Sequence, residues 1–124
     1  MNELEIKGQI FDLEKKLFKY EYMSDRKWLE DTIHDKFLEC GKSGYFFYKE
    51  DTIDELMKCD KDRDIEIFNY EYVSLSSDAH MVHYITKSGD DLIYRTSIWV
   101  MDGNLKLVFH QASKLNEKVN LIKY

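Results

Sequence analysis

The stretch Arg95–Gln111 constrains the fold more than any other part of this chain. Two β-rich runs, Arg95-Thr96-Ser97-Ile98-Trp99-Val100-Met101 and Leu105-Lys106-Leu107-Val108-Phe109-His110-Gln111, meet at Asp102-Gly103. Asp-Gly between alternating apolar residues is a strong hairpin signal, because the favoured tight turns need positive φ. Alternation puts Arg95, Ser97 and Trp99 on one face and sends His110 and Gln111 to opposite faces. Two registers are open. A two-residue turn sets Trp99 against Lys106 and Arg95 against His110; a three-residue loop with a bulge sets Trp99 against Leu105 and Arg95 against Phe109.

Upstream of the hairpin the same period of two continues. Strands are expected over about 64–75, 79–87, 91–101 and 105–113, separated by Ser76-Ser77-Asp78, Ser88-Gly89-Asp90 and Asp102-Gly103. Successive antiparallel runs of this kind make a meander. In the second strand Met81, His83 and Ile85 share one face; His80, Val82, Tyr84 and Thr86 share the other. His80 and His83 therefore point to opposite sides, and no metal site is expected. Tyr70 and Tyr72 share a face and are candidates to line a cavity or donate to an oxyanion.

The first part of the chain is helical in pattern. Ile6, Ile10, Leu13 and Leu17, widened by Phe11 and Phe18, predict an amphipathic helix over 3–20 with Glu14, Lys15 and Lys16 toward solvent. Ser24 is the expected N-cap of a second helix carrying Trp28, Leu29 and Ile33. His34, Asp35 and Lys36 read as solvated punctuation. Thr52-Ile53-Asp54-Glu55 is a capping-box pattern opening a short helix with Ile53, Leu56 and Met57 inward. A charged loop, 60–64, follows. Helices before a long meander predict one α+β domain over 1–124: a strongly curved, cone-shaped antiparallel sheet wrapped around N-terminal helices. The open end of such a cone is a default ligand site.

Composition narrows the partners. A net charge of −6 lacks the basic footprint that nucleic-acid binding requires. Sixteen Tyr and Phe residues (9 and 7) suit a sheet lining a cavity. No run approaches the roughly 18 apolar residues of a membrane span. The acidic N-terminus and two cysteines, Cys40 and Cys59, predict a soluble cytoplasmic protein with free thiols.

Phe37-Leu38-Glu39-Cys40-Gly41-Lys42-Ser43-Gly44-Tyr45 reads as a short strand entering a glycine-bracketed turn. The spacing fits neither the Gly-x-Ser-x-Gly nucleophile elbow nor a phosphate loop. Taken together, Glu39-x-Gly41-x-Ser43-Gly44, Arg95-x-Ser97-x-Trp99 and His110-Gln111, in this order around a short helix, resemble the nuclear transport factor 2-like superfamily. That superfamily is cystatin-like and includes the SnoaL-like proteins; the chain is similar to its branch catalogued as a domain of unknown function. Two positions depart from the pattern: Leu105 stands where a Trp is usual, and Ala112-Ser113 replaces Gly-Thr. The resemblance implies a conical α+β fold, a pocket and frequently a homodimer; a meander with both faces partly apolar needs cover away from the helices, which a homodimer through the sheet face would provide. It does not imply one activity, since relatives include ketosteroid isomerases, polyketide cyclases, dehydratases and non-catalytic assembly domains.

The expected function is binding of a small apolar or anionic ligand in that pocket. The candidate binding residues are Ser43, Tyr70, Tyr72, Arg95, Ser97, Trp99 and Gln111. An acid–base enzyme is the alternative, with His110 as base or acid and Glu39 as a carboxylate whose pKa burial would raise. Arg95 would then hold an anionic group bidentately. Analogy with the cyclases directs His110, rather than Gln111, into the pocket. A non-catalytic dimerisation module or a partner for basic proteins is the remaining class. No cofactor is indicated.

Overall fold

A computed structural model describes residues 2–124. Four helices, α1 (Glu3–Lys16), α2 (Tyr20–Met23), α3 (Arg26–Thr32) and α4 (Lys49–Met57), pack on a six-stranded sheet. Its strands are β1 (Ile33–Cys40), β2 (Phe46–Tyr48), β3 (Glu66–Ser76), β4 (Ala79–Ser88), β5 (Asp91–Asp102) and β6 (Asn104–Lys114). The order across the sheet is β2-β1-β6-β5-β4-β3. The meander β3–β6 is antiparallel, as its turn residues predict, but β1 lies parallel to β6, so the sheet is mixed rather than wholly antiparallel. The fold is α+β, with an open sheet.

The predicted first helix divides in two. Ile6, Ile10 and Glu14 make the buried stripe of α1, which ends at Lys16. Phe18 and Lys19 donate only to carbonyls three residues back, which closes the turn tightly. The 60–64 loop then satisfies the backbone groups freed by the break. Arg63 N–H donates to the Phe18 carbonyl over 2.9 Å, and Asp62 accepts from Tyr20 N–H over 2.8 Å. A charged segment that looks solvated in sequence is thus a clamp, and it carries Arg63 to the helix.

The caps also differ from the sequence patterns. Asp25, not Ser24, caps α3 by accepting from Trp28 N–H, while Ser24 closes α2. Ile33 lies in β1 rather than in the helix. Helix α4 begins ahead of Thr52, with Asp51 accepting from Tyr48 N–H, so Thr52 and Ile53 are interior and buried. Met57 is exposed instead of inward.

Neither anticipated hairpin register occurs. Gly103 alone, at φ 79°, separates the paired Asp102 and Asn104, and Trp99 faces Leu107. A bulge at Val108 then shifts the ladder, so that Arg95 faces Ala112 and Ser97 faces His110. Bulges in β3 add further bends, one of them at Asn69, a non-glycine residue at φ 55°. The core lies between the concave face and the helices, centred on Ile10, Leu29, Ile33, Phe37, Ile53, Tyr84 and Trp99.

Candidate functional site

The Val108 bulge decides which polar side chains turn inward. Leu105 and Leu107 are buried on the concave face; without an extra residue, strict alternation would put Phe109 and Gln111 beside them. The bulge reverses the parity, so His110 and Ala112 face inward and Gln111 lies exposed on the opposite side. The result is a row across the sheet, Tyr72–Val82–Ser97–His110–Glu39–Phe47, one residue from each strand.

Within that row His110 and Glu39 are cross-strand partners, with Nδ1 3.5 Å from the carboxylate Oε2. Burial pushes the Glu39 carboxyl up. The hydrogen bond and charge of His110, supported by Arg95 and Arg63, outweigh it and hold Glu39 below the ordinary carboxylate value. This reverses the direction expected from burial alone.

Both residues line a cavity of about 250 Å³ between the concave face and the helices. Leu17, Ile33, Phe37, Phe47, Leu56 and Leu107 give it a largely apolar wall. Arg95 also lines it, although only 8% of its surface is exposed. Its Nε donates to Thr86 Oγ1 over 2.8 Å, and its guanidinium carbon lies 5.5 Å from the centre of the Phe18 ring. Arg63 approaches the same ring to 5.2 Å. Neither guanidinium has a carboxylate within ion-pair distance among the described residues. Burial, with repulsion from Arg63, outweighs the attraction of Tyr84, Glu14 and Glu39 and pulls Arg95 below its ordinary value, yet an arginine stays charged in any protein setting. The Thr52 hydroxyl, buried in the α4 wall of the cavity, has no hydrogen-bond partner among the described residues.

The inner wall holds a group assigned to solvent in the sequence reading. Glu14 is 2% exposed and lines the cavity. Its carboxylate accepts from Trp99 Nε1 over 2.7 Å and from the Tyr84 hydroxyl. Burial, then the charge of Glu14, raises the Tyr84 phenol well above its ordinary value, which keeps it a donor. The available signal was positional: Glu14 continues the Ile6–Ile10 stripe at four-residue spacing, where an acid needs buried partners. Arg63, Phe18 and Thr52 gave no comparable signal.

The remaining candidates are dispersed. Trp99 is fully buried and holds Glu14. Ser97 is fully buried beside His110 in the row, its hydroxyl without a partner among the described residues. Ser43 sits on the exposed turn closed by Gly44 N–H on the Gly41 carbonyl. Tyr70 donates to the Lys7 carbonyl within a cluster of Phe11, Tyr84 and Tyr124. Tyr72 bonds His80 Nδ1 at 2.7 Å on the concave side, whereas His83 pairs with Tyr94 on the convex side. The two histidines thus face apart, as the strand period requires. Cys40 and Cys59 are free thiols, and Cys59 borders the cavity.

No family model matches the sequence, and no curated protein matches it. Solved structures do match over nearly the whole chain. A nuclear transport factor 2-like protein from Cytophaga hutchinsonii is similar at TM-score 0.73 with 23% identity, covering 93% of this chain and 100% of its own. A nuclear transport factor 2-like protein of unknown function from Prochlorococcus marinus gives TM-score 0.71 and 20% identity, with 95% and 97% covered. An uncharacterised protein with a cystatin-like fold from Caulobacter vibrioides gives 0.67 and 10%, with 86% and 87% covered. At these identities the likeness is one of architecture. The element order, the bent six-stranded sheet and the helices on its concave face give this chain the nuclear transport factor 2-like, cystatin-like fold.

Proposed function

We propose that the protein binds a small molecule with an apolar body and an anionic group in the cavity between sheet and helices. One observation carries this reading: two guanidinium groups, Arg95 and Arg63, converge on Phe18 at the cavity without a carboxylate partner among the described residues. Arg95 is buried, and a buried cation without an ion-pair partner is costly, whereas Arg63 is exposed to solvent; a bound carboxylate is the inexpensive remedy for Arg95, since the guanidinium fork matches its geometry. The unpartnered Thr52 hydroxyl offers one more hydrogen bond. The apolar wall would hold a hydrocarbon body, and a volume below the roughly 300–1,000 Å³ of drug-sized sites favours a compact one. Native mass spectrometry of freshly purified protein should reveal a co-purified acid. Titration calorimetry with hexanoate and benzoate should show binding that Arg95→Met abolishes; equal binding by the variant overturns the reading.

A second reading is acid–base catalysis, favoured by the His110–Glu39 contact at the cavity wall. His110→Asn separates the two: it eliminates turnover in an enzyme and leaves ligand affinity within a few-fold in a binding protein. A homodimer through the convex sheet face is the proposed assembly, supported by exposed Val73, Leu75 and Tyr94 on β3 and β5. Sedimentation of Leu75→Glu against the unmodified protein tests it, with a monomeric parent refuting it. The acidic composition and free thiols fit a cytoplasmic setting; no described helix is long and apolar enough to cross a membrane.

A further inference from the structure

The cavity has a polar axis. Along the facing strands β4 and β5 the inward pairs run His80–Trp99, Val82–Ser97, Tyr84–Arg95 and Thr86–Ile93. Arg95 turns its head toward the Thr86 end through the Nε–Oγ1 bond. There it and Arg63 also border a second, more polar hollow of about 390 Å³, so the guanidinium end is the mouth. Glu14 is bound at the other end, by Trp99, with the Tyr84 hydroxyl reaching it between the two.

Glu14 is a buried carboxylate that has not used its full capacity. An ionised carboxylate offers about four acceptor positions. The structure fills two, one on each oxygen: the Tyr84 hydroxyl on Oε1 and Trp99 Nε1 on Oε2. No lysine, arginine or histidine lies within ion-pair distance of it among the described residues. A hydrocarbon tail laid against such a group would strip its solvation and return nothing, whereas a donor would be drawn to it. A simple fatty or aromatic acid therefore suits one end of the cavity and not the other.

Resting on the anion-binding reading, we infer that the ligand is a small carboxylic acid that also carries a hydroxyl or amino group, its acid at Arg95 and Arg63 and its donor on Glu14. The ligand is bifunctional, and its two polar ends are separated by the apolar stretch beside Tyr84 and Leu107. A hydroxyl and an amine share the donor chemistry and are separated by the test.

The test compares matched acids on the intact protein: benzoate, para-hydroxybenzoate and para-aminobenzoate, and hexanoate with its omega-hydroxy and omega-amino derivatives. Calorimetry should find a donor-bearing acid of at least one skeleton binding about tenfold tighter than its parent, the worth of one hydrogen bond to a charged group. The preferred derivative identifies the donor as hydroxyl or amine. In Glu14→Gln the preference should fall to within about twofold. Should Glu14→Gln fail to fold, Trp28→Phe leaves Trp99 as the only indole, and donor-bearing acids should change its fluorescence where parent acids do not. Parent and derivative acids binding equally, with both lost in Arg95→Met, would overturn this inference and leave the anion-binding reading intact. Absence of binding by every acid would overturn both.

Discussion

Trp99 Nε1 donates to the Glu14 carboxylate over 2.7 Å, tying the middle of the sheet to the first helix through two side chains that are almost wholly buried. The bond explains why the sheet needs an indole at Trp99 rather than any large apolar residue. It also explains how an acid survives on the apolar stripe of α1.

Trp99→Phe is expected to lower unfolding stability by about 3 kcal/mol, from the lost charge-assisted bond and the volume left unfilled. Trp28→Phe, at a half-buried ring tilted against Tyr22, should cost less than about 1 kcal/mol. Urea unfolding of both proteins checks the contrast, and equal losses would remove the special role of the indole.

Glu39 gives stability a defined acid limb. Burial raises its carboxyl, but His110, Arg95 and Arg63 bring it net below the ordinary value. The unfolded chain therefore takes up the proton first. The contribution is present above the ordinary carboxylate value of about 4.3 and is lost as pH falls from there through the lower folded value. Glu39→Gln should flatten the stability curve in that window, measured by denaturant melts at successive pH values.

His80 acts in a higher window by the same linkage. Burial, only partly opposed by Asp78, lowers its ring below the ordinary value, and its Nε2 is buried without a partner among the described residues. The neutral ring is the folded form, so stability is fully present above about pH 6.5 and declines as pH falls toward the lower folded value. His80→Phe should reduce the difference in Tm between about pH 7.5 and pH 5.5. An unchanged difference would show that other groups set it.

The C-terminal segment covers the free edge of β3. Asn69, held at φ 55°, donates its backbone N–H to the Ile122 carbonyl over 2.7 Å, and its side chain accepts from Ile122 N–H and donates to the Asn120 carbonyl. Asn69→Ala should destabilise by about 2 kcal/mol, losing the side-chain bonds in a conformation that disfavours alanine; Asn69→Gly should cost less because glycine accepts positive φ freely. Removing residues 119–124 should expose the edge and promote self-association, visible in light scattering.

The meander was legible because its signals are local. Turn residues at 76–78, 88–90 and 102–103 mark strand ends, and alternation in β4 assigns His80, Val82, Tyr84 and Thr86 to the inner face, where they are buried. Register was not legible, because the bulge at Val108 has no composition of its own and arises where the strand must bend. For the same reason sequence brought out Arg95, Glu39 and His110 as candidates but not their relation in one row. Glu14 was misplaced because periodicity averages a helix face and says little about one residue on it. Strand β2 was missed because three residues carry no period. Arg63 was missed because its position depends on a helix break more than forty residues earlier.

The position of β6 bears on how the chain folds. It is the last strand of this sheet in chain order, yet it lies between β1 and β5. Until it emerges, the β1–β2 pair and the β3–β5 meander are separate half-sheets, each with an unpaired edge where β6 will go. Glu39 and His110, seventy-one positions apart, meet only when this strand is inserted. A chain stalled or cut before Asn104 therefore has two adhesive edges and no cavity, which makes it a natural client for chaperones.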